Sequence, residues 1–144
     1  MGTKQEEAGL ILKLYELRRE AVMREARNWF GSEFHPRNAA DVTAVLSGPK
    51  SAFLRMVTSY WDMAAALVLQ GAIDADMFSA TNGEHIFIFA RLEPFLAEVR
   101  QQHGPYLLAN VEKVIHAMPN GAERVKQMQA RQQAARRPAT EAAR

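Results

Sequence analysis

Apolar residues in this chain recur at steps of three and four between glycine and proline marks, which is the spacing of one face of a helix. From Lys4 to Phe30, the residues Leu10, Ile11, Leu14, Leu17, Ala21, Val22, Ala26 and Trp29 fall on one broad side. They predict a single long first helix, ended by Gly31 and kept from continuing by His35-Pro36. Asn38 predicts an N-cap for a short helix over Ala39–Leu46. Gly48-Pro49 then stops one helix and starts the next over Ser51–Gln70, whose apolar residues cover more than half its circumference and mark it as the core helix. Asp74 caps a single turn through Phe78. Ile86-Phe87-Ile88-Phe89 has strand-like composition, but Phe89, Leu92, Leu96 and Val99 go on at helical spacing and no second such run offers a partner. Glu84–Gln102 is therefore expected to be a helix, kinked where Pro94 removes the bond to Ala90. A sixth helix is expected over Pro105–Met118.

These elements predict an all-α fold, an irregular bundle of five to six helices over residues 4–120. Residues 121–144, rich in Ala, Gln and Arg, are expected to form a helical extension that leaves the globule and frays by Pro138. The chain has 144 residues, 48% apolar and 24% charged, which suits one globular domain with a tail and excludes collagen-like and wholly disordered readings. A chain of that length buries roughly 70% of its unfolded surface. With no cysteine there are no disulfides, thiolate metal sites or cysteine nucleophiles, and a cytoplasmic location is the expectation. No secretory signal is expected from the acidic N-terminus, and no membrane span, since the longest unbroken apolar run is Met63 to Leu69.

Charge alters the picture at one end. The formal net charge of +2 is uneven: from Gly121 onward Arg124, Lys126, Arg131, Arg136, Arg137 and Arg144 face only Glu123 and Glu141. The first five of these are the candidate nucleic-acid contacts. Their charge encircles a helix and no aromatic residue interleaves to stack bases, so weak, non-specific attraction is the most they imply, and nucleic acid is not the expected partner. Gly48-Pro49-Lys50-Ser51 echoes the end of a phosphate-binding loop, but Pro49 removes a needed donor and no strand precedes it. Glu112 and His116 have the i, i+4 spacing of a metal pair on a polar face, where a solvated ion pair is the simpler reading. Asp74-x-Asp76 begins like a calcium loop, but Phe78 and Ala80 follow where oxygen ligands should stand. No serine lies in a nucleophile elbow. Neither a catalytic residue, a metal ligand nor a cofactor is expected.

Arg18 and Glu25 are the polar residues that intrude on the apolar side of the first helix. An ionised group there needs a partner or an opening. Glu93 and Arg100 flank the apolar stripe of the fifth helix with the same two-turn spacing and complementary signs, so Arg18–Glu93 and Glu25–Arg100 are the candidate cross-pairs. The alternative is that Arg18 and Glu25 snorkel at the edge of the stripe. Phe87 projects away from its own stripe, so it is either covered by another helix or part of an oligomer contact.

Tyr60-Trp61-Asp62, then Leu67-Val68 and Gly71-Ala72-Ile73-Asp74, together with Leu92 to Arg100 around Pro94, resemble an uncharacterised family of bacterial helical proteins, a domain of unknown function, over about residues 10–105. The resemblance implies the helical fold and no activity. Many members carry a membrane-spanning N-terminus, from which this sequence departs. Asp62 stands on the polar side of its helix and is not a site candidate. The expected role is a non-catalytic protein–protein interaction or scaffold module that self-associates, most simply as a dimer. The alternatives are weak nucleic-acid binding through the tail, or a small ligand in a bundle pocket around Arg18 and Glu25.

Overall fold

The computed structural model describes residues 2–136 and builds them from helices alone, with no strand among the described residues. In chain order these are α1 (Lys4–Arg18), α2 (Ala21–Ser32), α3 (Ala39–Leu46), α4 (Ser51–Leu69), α5 (Ala75–Thr81), α6 (Glu84–Leu92), a 3₁₀ turn (Glu93–Phe95), α7 (Leu96–His103), α8 (Ala109–Ala117) and α9 (Gly121–Ala135). The segments outnumber the five to six expected because two continuous helices are broken and a short one extends past a single turn.

The first break falls at Arg19–Glu20. Glu20 leaves the helical region at ψ 144° and its carboxylate accepts from the Met23 amide at 2.9 Å, capping α2 as a shorter acid would. Arg27 Nη1 reaches back 3.4 Å to the Arg18 carbonyl left open at the end of α1. The break resets the helical phase, so one face cannot stay buried throughout: Ile11, Leu14, Ala26 and Trp29 are buried, whereas Leu10, Leu17 and Val22 remain exposed. Gly31 does not end α2, which runs on to Ser32.

Expectations that rested on local chemistry correspond to the structure closely. The side chains of Asn38 and Asp74 cap α3 and α5. Pro94 stands inside the 3₁₀ turn that separates α6 from α7. α4 lies against α2, α3, α5 and α8 and buries Leu54, Val57, Trp61, Ala64 and Ala65. By length and composition α4 is also long and apolar enough to cross a membrane; here it is the core helix of the bundle and carries Arg55 and Asp62.

α6 sits between α8 and α9 and is buried on nearly every side, from His85 and Ile86 through Ile88, Phe89, Ala90, Arg91 and Leu92. α9 corrects the expectation of a departing tail. It packs along α6, burying Val125 and Gln132, and the amides of Gln129 and Gln132 donate to the Ala90 and Phe87 carbonyls at 3.1 and 2.9 Å. A side chain at Gly121 would place Cβ 1.9 Å from the Ile115 carbonyl oxygen, so the turn from α8 into α9 is closed around a bare backbone.

Candidate functional site

Glu84, at the first position of α6, organises the polar chemistry beside the α1–α2 break. Both of its oxygens are engaged: Arg27 Nε donates to Oε2 at 2.9 Å and Nη2 to Oε1 at 2.8 Å, and the Trp61 indole donates to Oε2 at 2.8 Å. The paired carboxylate holds the Arg27 pKa above its usual value, as its leading cause. Tyr60 donates its hydroxyl to the Leu14 carbonyl, and burial pushes its pKa up to about 12. Arg27 and Trp61 together bring three donors to Glu84, and the cluster ties α2 and α4 to α6.

The expected cross-pairs do not form. Arg18 instead lays its guanidinium over the rings of Tyr15 and Trp61, at 4.9 and 5.8 Å from their centroids. Glu25 is exposed. Glu93 accepts from the Gln129 amide at 2.8 Å, and Arg100 donates to the Leu107 carbonyl and pairs with Glu112 at 3.1 Å. The physical reason is the break at Arg19–Glu20, which removes the fixed two-turn register between Arg18 and Glu25. Arg18 snorkels onto aromatic faces, the alternative reading of its place on the apolar side.

Asp62 has a task that its own helix does not reveal. α8 opens from Leu108, held in the left-handed region at φ 54°, and has no side-chain cap of its own. Asp62 Oδ1 on α4 accepts from the amides of Asn110 and Val111 at 2.9 and 3.0 Å, while Oδ2 accepts from Asn110 Nδ2 at 3.0 Å. A carboxylate from α4 therefore caps the positive end of α8. Glu112, engaged with Arg100, is separate from His116, whose ring stands edge-on to Phe89. Among the described residues no cluster of three or more metal-ligating side chains occurs.

Phe87 is covered by neighbours rather than left free: its ring lies 6.1 Å from that of Phe30, and the Arg91 guanidinium sits 4.6 Å above it. Beside it opens a cavity of about 660 Å³ between the end of α2, α6 and α9. Of the candidate nucleic-acid contacts, Arg131 and Arg136 line this cavity, whereas Arg124 and Lys126 are exposed elsewhere on α9 and Arg137 lies outside the described residues.

The remaining surface feature belongs to α1. Leu10 and Leu17, two turns apart, are 41% and 45% exposed; Leu12 and Tyr15, one turn apart, are 67% and 46% exposed on another side of the same helix.

Fold and side-chain geometry thus define an all-helical bundle whose polar clusters join helices to one another. The chain belongs to the family of the domain of unknown function DUF4760, whose model matches residues 5–118. No match to the chain is found among curated proteins or among solved structures.

Proposed function

We propose that this protein is a non-catalytic helical interaction module that pairs with a second copy of itself through α1. The observation that carries this reading is the concentration of exposed apolar surface: of the eight large apolar side chains that stand in solvent among the described residues, Leu10, Leu12, Tyr15, Leu17 and Val22 all fall on α1 or the first turn of α2. Exposed apolar side chains gathered on one short stretch of chain suit a contact site, and Leu10 with Leu17 supplies a two-turn stripe on one side of α1. Charge favours a second copy as the occupant. The first turn of α1 carries Glu6 and Glu7 against the single Lys4, and its last turn carries Arg18, followed by Arg19, so two antiparallel copies bring the net-acidic end of each against the basic end of the other. Such a contact is two-fold and closes on itself, giving a dimer rather than a fibre.

Sedimentation equilibrium tests the reading. The wild-type chain is expected to dimerise in a concentration-dependent manner, and the double variant Leu10→Glu, Leu17→Glu to remain monomeric with unchanged helical circular dichroism. A wild-type chain that stays monomeric up to about 100 µM overturns it.

A further inference from the structure

We propose that the cavity between α2, α6 and α9 is a binding site for a small organic anion, a phosphate or carboxylate carried on an apolar body. The argument starts at Arg91. Its side chain is almost wholly buried, at 9% exposure, and among the described residues it meets no carboxylate. Its polar partners are the Phe30 carbonyl, in a short contact, and the Gly31 carbonyl at 3.5 Å. These belong to the C-terminal end of α2, whose aligned peptide dipoles supply roughly half a negative charge. That compensates a buried guanidinium only in part, since burying a charge without a full counter-charge is costly.

The surroundings enlarge the imbalance. Arg131 from α9 and Arg136 just after it line the same cavity, as does His35 from the loop after α2, and among the described residues no acidic side chain lines it. His35 is held at the wall by Nε2, which stands 3.1 Å from the Ser32 carbonyl and donates to it. Burial first, and the Arg136 charge second, pull the Arg91 pKa down to about 10. Three guanidiniums drawn to one concave space repel one another until an anion joins them, and the planar fork of arginine suits phosphate and carboxylate oxygens.

The ligand class follows from the remaining walls. The Phe87 ring and Met128 give the cavity an apolar side, and about 660 Å³ is the size of a small-molecule site. A lone inorganic ion would leave that side unfilled. A nucleic-acid strand would be read by charges spread along a track, whereas Arg91, Arg131 and Arg136 line a single cavity. The inference is independent of α1 and of any dimer.

Isothermal titration with phenyl phosphate, inorganic phosphate, a single-stranded oligonucleotide and phosphatidic acid vesicles tests it at fixed low salt. Phenyl phosphate is expected to bind at one site per chain, at least about fivefold more tightly than inorganic phosphate, because only it fills the apolar wall. The exposed pair Arg131→Ala, Arg136→Ala should weaken it by about tenfold with the fold unchanged. Lys126→Ala, on the same helix outside the cavity, should leave it unaltered. Arg91→Met should abolish binding; since Arg91 also holds the end of α2, that variant is read only alongside the α9 pair. Absence of saturation up to about 10 mM phenyl phosphate, an equal loss in Lys126→Ala, or binding confined to oligonucleotide or vesicles each overturns the proposal.

Discussion

His85 is the residue most at odds with its surroundings. It is fully buried, with its ring 4.9 Å from that of Phe78 and 6.1 Å from that of Trp61, and neither ring nitrogen has a hydrogen-bond partner among the described residues. An imidazole so placed is held neutral: burial, assisted by the Arg124 charge, pushes its pKa down to about 4. In the unfolded chain the same group takes a proton near pH 6.5. Between those values the unfolded state binds more protons than the folded one, so His85 withdraws stability as pH falls below about 6.5, by up to roughly 3 kcal/mol, and the loss levels off below about pH 4. His85→Phe keeps an aromatic ring beside Phe78 and removes two unpaired nitrogens. Denaturant midpoints at pH 7 and pH 5 should show the wild type losing more stability than the variant, and equal losses in the two proteins would refute the assignment. No sequence pattern singles out His85 from the other three histidines. Its burial arises because α6 is enclosed on nearly every side, a property of the assembled bundle and not of residues 84–92.

At the scale of the element, what could be read in advance was what neighbouring residues decide. Asn38 and Asp74 reach amides three residues away, and Pro94 acts on its own turn, so those boundaries follow from short-range chemistry. The start of α8 does not. Its expected origin at Pro105 fails because Tyr106 to Leu108 form a turn ending in a left-handed residue, and the amides that follow are met by Asp62, far away in sequence. The break at Glu20 was likewise hidden, since glutamate is an uncommon cap and the apolar spacing runs through it. Three of the four residues offered as cross-pairs do make helix-joining contacts, but Arg18 with Trp61, Glu93 with Gln129 and Arg100 with Glu112, which lie on helices that periodicity leaves unoriented. The Asp62 cap makes a quantitative claim. Asp62→Ala leaves two amides at the start of α8 without their acceptor and should lower unfolding stability by about 1–2 kcal/mol. Asp62→Asn, which keeps one acceptor oxygen, should lose less. Urea titration decides the matter, and an alanine variant matching the wild type within about 0.5 kcal/mol would show the cap to be incidental.

For the whole molecule the open question is where the folding unit ends. Composition marks a boundary at residue 120, and the family model stops at residue 118, yet the structure carries the core past both. α9 offers little apolar surface beyond Val125 and Met128, and for that reason its pattern resembles a solvated extension. Its attachment comes from amides instead: Gln132 donates to the Phe87 carbonyl, and Gln129 donates to the Ala90 carbonyl that Pro94 leaves without an amide partner, a use of glutamine that hydrophobic periodicity does not register. Two consequences separate an attached helix from a tail. Removing residues 121–144 would uncover the flank of α6 that carries Ile86, Phe87 and Ala90 and delete the burial of Val125, so the melting temperature of the shortened chain should fall by several degrees. The same deletion removes Arg131 and Arg136, so phenyl phosphate binding should vanish with it, whereas Gly121→Ala, which forces α9 away from the Ile115 carbonyl without changing any charge, should weaken binding and stability together. Differential scanning calorimetry on the three chains decides this. A shortened chain that melts within about one degree of the wild type would make α9 a passenger, with the stability of the bundle set entirely by α1 to α8.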